Sequence, residues 1–133
     1  MSDAVTEGPG AWPRAGVHRV LGPPAAVVAE LAQLAGRGWD VALVPPSTTD
    51  AELWDGLVDV LGLPGWFGRN LDALDEALRD LVRPTALVLA GWTAYARARP
   101  ERWAGLLHVL RDRAEDADPP FVVLLADQGR PVA

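Results

Sequence analysis

The sequence predicts one α/β domain, a small parallel sheet of three to four strands packed by helices. Three observations lead there. Apolar runs of strand length alternate with segments in which Leu and Val recur at helical spacing. The connections between successive runs are a dozen residues or longer, as crossovers between parallel strands require. The 133 residues, 50% of them hydrophobic, suffice for one core and are too few for two ordinary ones. The same apolar content excludes wholesale disorder.

Residues 1–16, rich in Gly and Pro from Gly8 onward, are expected to form a flexible lead-in to a single domain over 17–133. Residues 17–21 read as a short first strand. Gly22, Pro23 and Pro24 punctuate it, and Pro24 suits a first helical position, where its missing N–H would have no partner anyway. Val27 or Val28, Leu31 and Leu34 then repeat at helical spacing, ending near Gly36. Residues 39–44 read as a buried strand stopped by Pro45 and Pro46. Ser47, Thr48, Thr49 and Asp50 offer N-caps for a helix carrying Leu53, Leu57, Val60 and Leu61. Asn70 caps the next helix, whose Leu71, Leu74, Leu78 and Leu81 make one apolar stripe. Residues 86–90 are the third strand. A short helix around Tyr95 precedes Pro100, which opens a longer helix bearing Trp103, Leu106, Leu107 and Leu110. Residues 121–126 close the series as an apolar strand.

Composition narrows the function. The net charge is −6, which argues against direct nucleic-acid binding, since phosphate contacts need clustered Lys and Arg. There are no cysteines, so neither a disulfide framework nor a thiolate metal site is available. Residues 1–16 lack the basic and apolar regions of a signal peptide, and no apolar stretch approaches the ~18 residues a membrane span needs. A cytoplasmic location away from membranes is expected. His18 and His108, the only histidines, lie far apart without a metal-ligand pattern, so no metal site is expected. His108 is expected to be partly buried or capping. Neither a Gly-rich phosphate loop nor a nucleophile elbow is present. Adjacent Asp75 and Glu76 point about 100° apart on a helix and cannot converge on one bond. No catalytic residue and no cofactor are expected; the chain reads as a binding protein rather than an enzyme. Trp39, Trp92 and Trp103 sit in apolar contexts and read as core. The mixed-charge runs 97–102 and 111–116 read as solvated helix faces.

Residues 63–78 are the most informative stretch. Leu63, Pro64 and Gly65 make a turn that leads into adjacent aromatics, Trp66 and Phe67, of which one should be core and one exposed. On the helix that follows, Asp72, Glu76 and Arg79 fall opposite the leucine stripe, with Asp75 near the boundary. Between residues 50 and 82 there are eight acids against two bases, a local balance of −6 equal to that of the whole chain. Complementing the helix macrodipole at ~0.3–1 kcal/mol explains Asp72, but the effect fades past the first turn and leaves Asp75 and Glu76 unexplained. An acidic helix face beside an exposed aromatic suits a positively charged partner.

Leu63, Pro64, Trp66, Phe67, Gly68, Asn70, Leu71, Asp72, Ala73 and Leu74 resemble, position by position, the signature of the barstar family of intracellular ribonuclease inhibitors. Weaker echoes lie at Leu87 to Leu89, Trp92, residues 107–113 and residues 121–125. The resemblance implies a three-stranded parallel sheet packed by helices over 37–127, with residues 17–36 as an added strand and helix. It also implies inhibition of a barnase-like, guanyl-type ribonuclease by a monomer binding one to one. On that pattern Trp66 stacks on the enzyme's catalytic histidine, Glu76 enters its phosphate site, Asp72 is the first acid and Asp112 a peripheral one. The implied partner-binding set is Trp66, Gly68, Arg69, Asp72, Asp75, Glu76, Arg79 and Asp112. Glu76 stands where the founding inhibitor has Asp, Asp75 where it has Trp, and Arg79 where it has a small hydroxyl residue. Arg69 and Arg79 would oppose a basic enzyme unless it offers acids there, so the cognate enzyme is expected to differ from the founding one. An immunity protein or antitoxin against a nuclease toxin, or an acidic module for a basic protein that is not a nuclease, would use the same surface.

Overall fold

Four strands join in one parallel sheet of order β1-β4-β3-β2: β1 (Gly16–Leu21), β2 (Asp40–Val44), β3 (Thr85–Ala90) and β4 (Phe121–Asp127). Five helices connect them: α1 (Pro24–Ala35), α2 (Asp50–Leu61), α3 (Leu71–Arg79), α4 (Trp92–Ala98) and α5 (Pro100–Ala114). The computed structural model describes residues 16–21, 24–116 and 118–127. Apart from Gly16, the expected lead-in 1–16 lies outside the described residues.

The strand order explains where the helices go. A right-handed crossover places its helix on a face set by the direction of travel across the sheet. The chain first runs from one edge, β1, to the other, β2, and then steps back through β3 to β4. Travel reverses after β2, so α1 lies on one face and α2 to α5 on the other. The side chains agree, because successive residues of a strand point to opposite faces. In β4, Phe121, Val123 and Leu125 join Leu53, Leu57, Leu74, Leu78, Trp103 and Leu110 in the larger core. Val122, Leu124 and Ala126 instead join Val27, Leu31 and Leu34 of α1 in a second core. The central strands β3 and β4 are therefore buried on both faces and read as continuous apolar runs.

The expected elements are all present, with Pro24 opening α1 and Pro100 opening α5. Thr49 is the N-cap of α2: its hydroxyl accepts from the Glu52 amide at 3.1 Å. Glu52 in turn accepts from the Thr48 amide at 2.8 Å, a reciprocal arrangement that holds its carboxyl below the ordinary carboxylate range. Of the two valines left open in α1, Val27 is buried and Val28 is exposed.

Some expectations are overturned. β2 is not a buried strand but an edge strand, with Asp40, Val41 and Leu43 exposed and only Ala42 and Val44 turned into the core. His108 is exposed rather than partly buried, because its position on α5 faces away from the sheet. Trp103 is core, whereas Trp39 and Trp92 are only half-buried. Trp92 stacks on Trp103 at 5.2 Å between ring centroids, with the Arg19 guanidinium 5.1 Å from the Trp92 ring. The run 111–116 is not wholly a solvated face either. Arg113 is 1% exposed and donates to three backbone carbonyls. No helix among the described residues is long and apolar enough to cross a membrane.

Candidate partner-binding face

α2 ends at Gly62, whose left-handed backbone (φ 65°) turns the chain out of the helix. The Leu63 amide still reaches back to the Val58 carbonyl at 3.0 Å. A second turn follows at once, closed by the Phe67 amide on the Pro64 carbonyl at 3.0 Å. That turn separates the paired aromatics. Trp66 projects into solvent, 85% exposed, while Phe67 is buried against Trp54 of α2, their centroids 6.0 Å apart.

The next three residues set the entry to α3. A Cβ on Gly68 would come within 3.0 Å of the Asn70 side-chain nitrogen, which donates to the Gly68 carbonyl at 3.2 Å. Glycine therefore leaves room for the cap. Asn70 uses its side-chain oxygen to accept from the Ala73 amide at 2.8 Å. Between them Arg69 takes a left-handed backbone (φ 54°), alone among the described non-glycine residues. Such a conformation costs of order 1–2 kcal/mol, and strain of this kind concentrates at functional sites. The Arg69 guanidinium turns back to Asp55 of α2 at 2.7 Å.

α3 buries Leu74 and Leu78 against α5 and turns its polar residues outward. Asp72 and Glu76, one turn apart, are exposed, and their side chains make no hydrogen bond or ion pair among the described residues. Asp75 differs. It is half-buried and accepts from the Arg79 Nε at 3.1 Å. The same guanidinium donates through Nη2 to Asp112 of α5 at 3.2 Å. The Asp75 contact raises the Arg79 pKa further above its usual range, and Asp112 adds to the shift. Behind this triad Arg113 donates through Nε to the Leu78 carbonyl at 2.8 Å and ties the end of α3 to α5.

A cleft of about 450 Å³ opens at the start of α3, between Trp54, Arg69, Asp72, Tyr95, Arg102 and Leu106. The Tyr95 hydroxyl donates to Asp50 at 2.6 Å, and Arg102 pairs with the same carboxylate at 3.3 Å. Burial, followed by the bond to Asp50, pushes the Tyr95 phenol up to about 12. Among the described residues no cluster of His, Cys, Asp and Glu is arranged to hold a metal ion.

The model of the family described as Barstar (barnase inhibitor) matches residues 45–130. The chain belongs to the barstar family. No curated protein sequence matches it. Family membership points in general to a barnase-like ribonuclease inhibitor or immunity protein, and such proteins are not enzymes. The match begins just after β2 and runs past β4, so β1, α1 and β2 lie outside it. Within the barstar frame, seven of the eight expected binding residues lie on one continuous segment from Trp66 to Arg79. Arg79 brings Asp112 alongside them. The sequence reading missed the residues that support this face: Trp54 under Phe67, Asp55 opposite Arg69, and Arg113 beneath the α3–α5 contact. Each acts across 13 or more residues of chain, where helical spacing carries no signal.

Proposed function

We propose that the protein inhibits a guanyl-type, barnase-like ribonuclease by placing Asp72 and Glu76 in its cationic cleft and Trp66 on its catalytic histidine. A ribonuclease must hold a polyanionic backbone, so its cleft is lined with basic side chains. Two carboxylates one helical turn apart replace substrate phosphates electrostatically and block entry. No bond is made or broken. The observation that carries this reading is the contrast along α3: Asp72 and Glu76 are exposed and unpaired, beside a tryptophan that is 85% exposed. Asp75 and Asp112 share one cation, Arg79, which cancels half of their charge, and they play a supporting part. Gly68 and Arg69 shape the loop that presents Trp66. Binding is one to one by a monomer in the cytoplasm. α1 covers the opposite sheet face, away from α3.

The test is to titrate a panel of guanyl-type ribonucleases, barnase among them, with the protein and with Glu76→Gln. We expect one-to-one inhibition of at least one enzyme. The Gln variant should cost several-fold at least, and about 2–5 kcal/mol if the pair is fully desolvated, a general range that includes the founding pair of this family. Inhibition unaltered by Glu76→Gln would remove Glu76 from the site. No inhibition of any ribonuclease at ~1 μM would refute the reading.

A further inference from the structure

We propose that Arg79 is a specificity residue. It selects a nuclease that offers an acid or a neutral acceptor opposite it, and it disfavours one that is basic across the whole contact. This inference rests on the inhibitor reading above.

Arg79 sits at the end of α3, between Asp75 and Asp112, and neutralises part of the acidic face. Its Nε contacts Asp75 on its own helix and its Nη2 contacts Asp112 on α5, so the three groups together carry one negative charge rather than two. The remaining acids of the face, Asp72 and Glu76, pair with no cation among the described residues. The field presented to a partner is therefore divided: two unpaired carboxylates toward the start of α3, and a guanidinium toward its end. A guanidinium has five N–H donors in a planar fork, and the two contacts use two of them. The Arg79 side chain is half exposed, so donors are left to reach a partner. Planar donors of this kind recognise a carboxylate in a bidentate manner, whereas a facing Lys or Arg is repelled by the guanidinium and finds Asp75 and Asp112 already engaged.

Arg69 follows the same pattern nearer the loop, where Asp55 pairs with it. Arg79 differs in that both of its partners, Asp75 and Asp112, belong to the expected binding set, whereas Asp55 does not, so its replacement changes the charge on the face itself. Replacing it by Gln keeps a polar side chain of similar reach while releasing Asp75 and Asp112. An added unpaired charge on a contact face raises association with a uniformly basic partner, and more so at low salt.

The experiment uses the whole protein, with barnase as a defined basic probe and the panel ribonuclease that the wild type inhibits best as the second. Arg79→Gln should associate with barnase about 3- to 10-fold faster at low salt and with a steeper salt dependence. It should bind the second enzyme more weakly than wild type. Arg79→Lys, which keeps the charge, should stay close to wild type on barnase. Asp75→Asn added to Arg79→Gln should remove most of the gain, because Asp75 is the carboxylate Arg79 holds most closely. If Arg79→Gln is no better on barnase, or if the preference between the two enzymes is unchanged, the Arg79 inference falls alone. If the wild type inhibits no ribonuclease, it falls together with the inhibitor reading.

Discussion

Replacing Arg113 by Met removes a guanidinium that is buried and makes no ion pair among the described residues. Its charge is met by three carbonyls instead: Leu78 at 2.8 Å, Asp116 at 2.8 Å and Pro119 at 3.0 Å. The Leu78 carbonyl lies in the buried part of the cluster, so without a donor it pays the desolvation penalty of about 1–3 kcal/mol. The other two are partly accessible and can recruit water, so each loses only about 0.5–1.5 kcal/mol. Part of this is returned, because a buried cation no longer has to be desolvated. Retained apolar contact of the Met side chain with Phe121, over which the guanidinium lies at 5.4 Å, limits the packing loss. The net cost is about 2–4 kcal/mol. At roughly 3–5 °C per kcal/mol for a chain of this size, the melting temperature should fall by about 10 °C. Arg113→Lys should recover little of it, since an ammonium cannot span three carbonyls with the geometry of the fork. Arg97→Met, at an exposed position, is the control and should stay within about 0.5 kcal/mol. Urea unfolding with all three variants decides the matter. A loss below about 1 kcal/mol for Arg113→Met would refute the reasoning, as would full recovery by Lys.

Other outcomes are expected at the loop and in the Tyr95 cluster. Phe67→Ala should destabilise by about 3 kcal/mol, the low end of the range for buried phenylalanines because Phe67 lies at the core edge. Trp66→Ala should leave the melting temperature unchanged while weakening inhibition; the reverse pattern would show that the assignment is wrong. The Tyr95 phenol is raised from 10.0 to about 12, so the fold favours its neutral form. Its contribution is whole below pH 10 and is lost as pH rises through about 12. Unfolding midpoints between pH 9 and 12 should therefore drop more steeply for wild type than for Tyr95→Phe, and parallel curves would contradict a phenol held neutral by burial and by Asp50.

Much of the fold was legible in the sequence because its signals are local. The Asn70 cap, the leucine stripe of α3, the prolines that open α1 and α5, and the doubly buried runs of β3 and β4 all act within a few residues. The split between Trp66 and Phe67 follows the family pattern and agrees with the structure. What was not legible depends on contacts between elements. β2 looked buried because apolar residues fill it, but its place at the sheet edge is set by the order in which strands return. Arg113 shares a run of alternating charges with Arg111 and Asp112, and only the position of Leu78 and Pro119 makes it an interior cation. Arg69 and Arg79 looked like unpaired positive charges within an acidic face. Asp55 and Asp112, 14 and 33 residues away, pair with them in space, beside the Asp75 contact one turn before Arg79 that helical spacing does carry. His108 was misplaced for a simpler reason: its apolar neighbours Leu107 and Val109 are themselves only half-buried.

Stopped-flow association at two ionic strengths tests the electrostatic plug most directly. The inhibited ribonuclease is mixed with the protein, and the exposed Trp66 serves as the reporter. Because Asp72 and Glu76 are unpaired and face outward, they should draw a cationic cleft over a distance longer than the contact itself. Salt screens separated charges more than desolvated ones, so added salt should slow association steeply and leave dissociation little changed. Asp72→Asn with Glu76→Gln should remove most of that salt dependence. An association rate indifferent to salt in the wild type would mean that apolar docking, not charge, drives the encounter, and it would contradict the central claim.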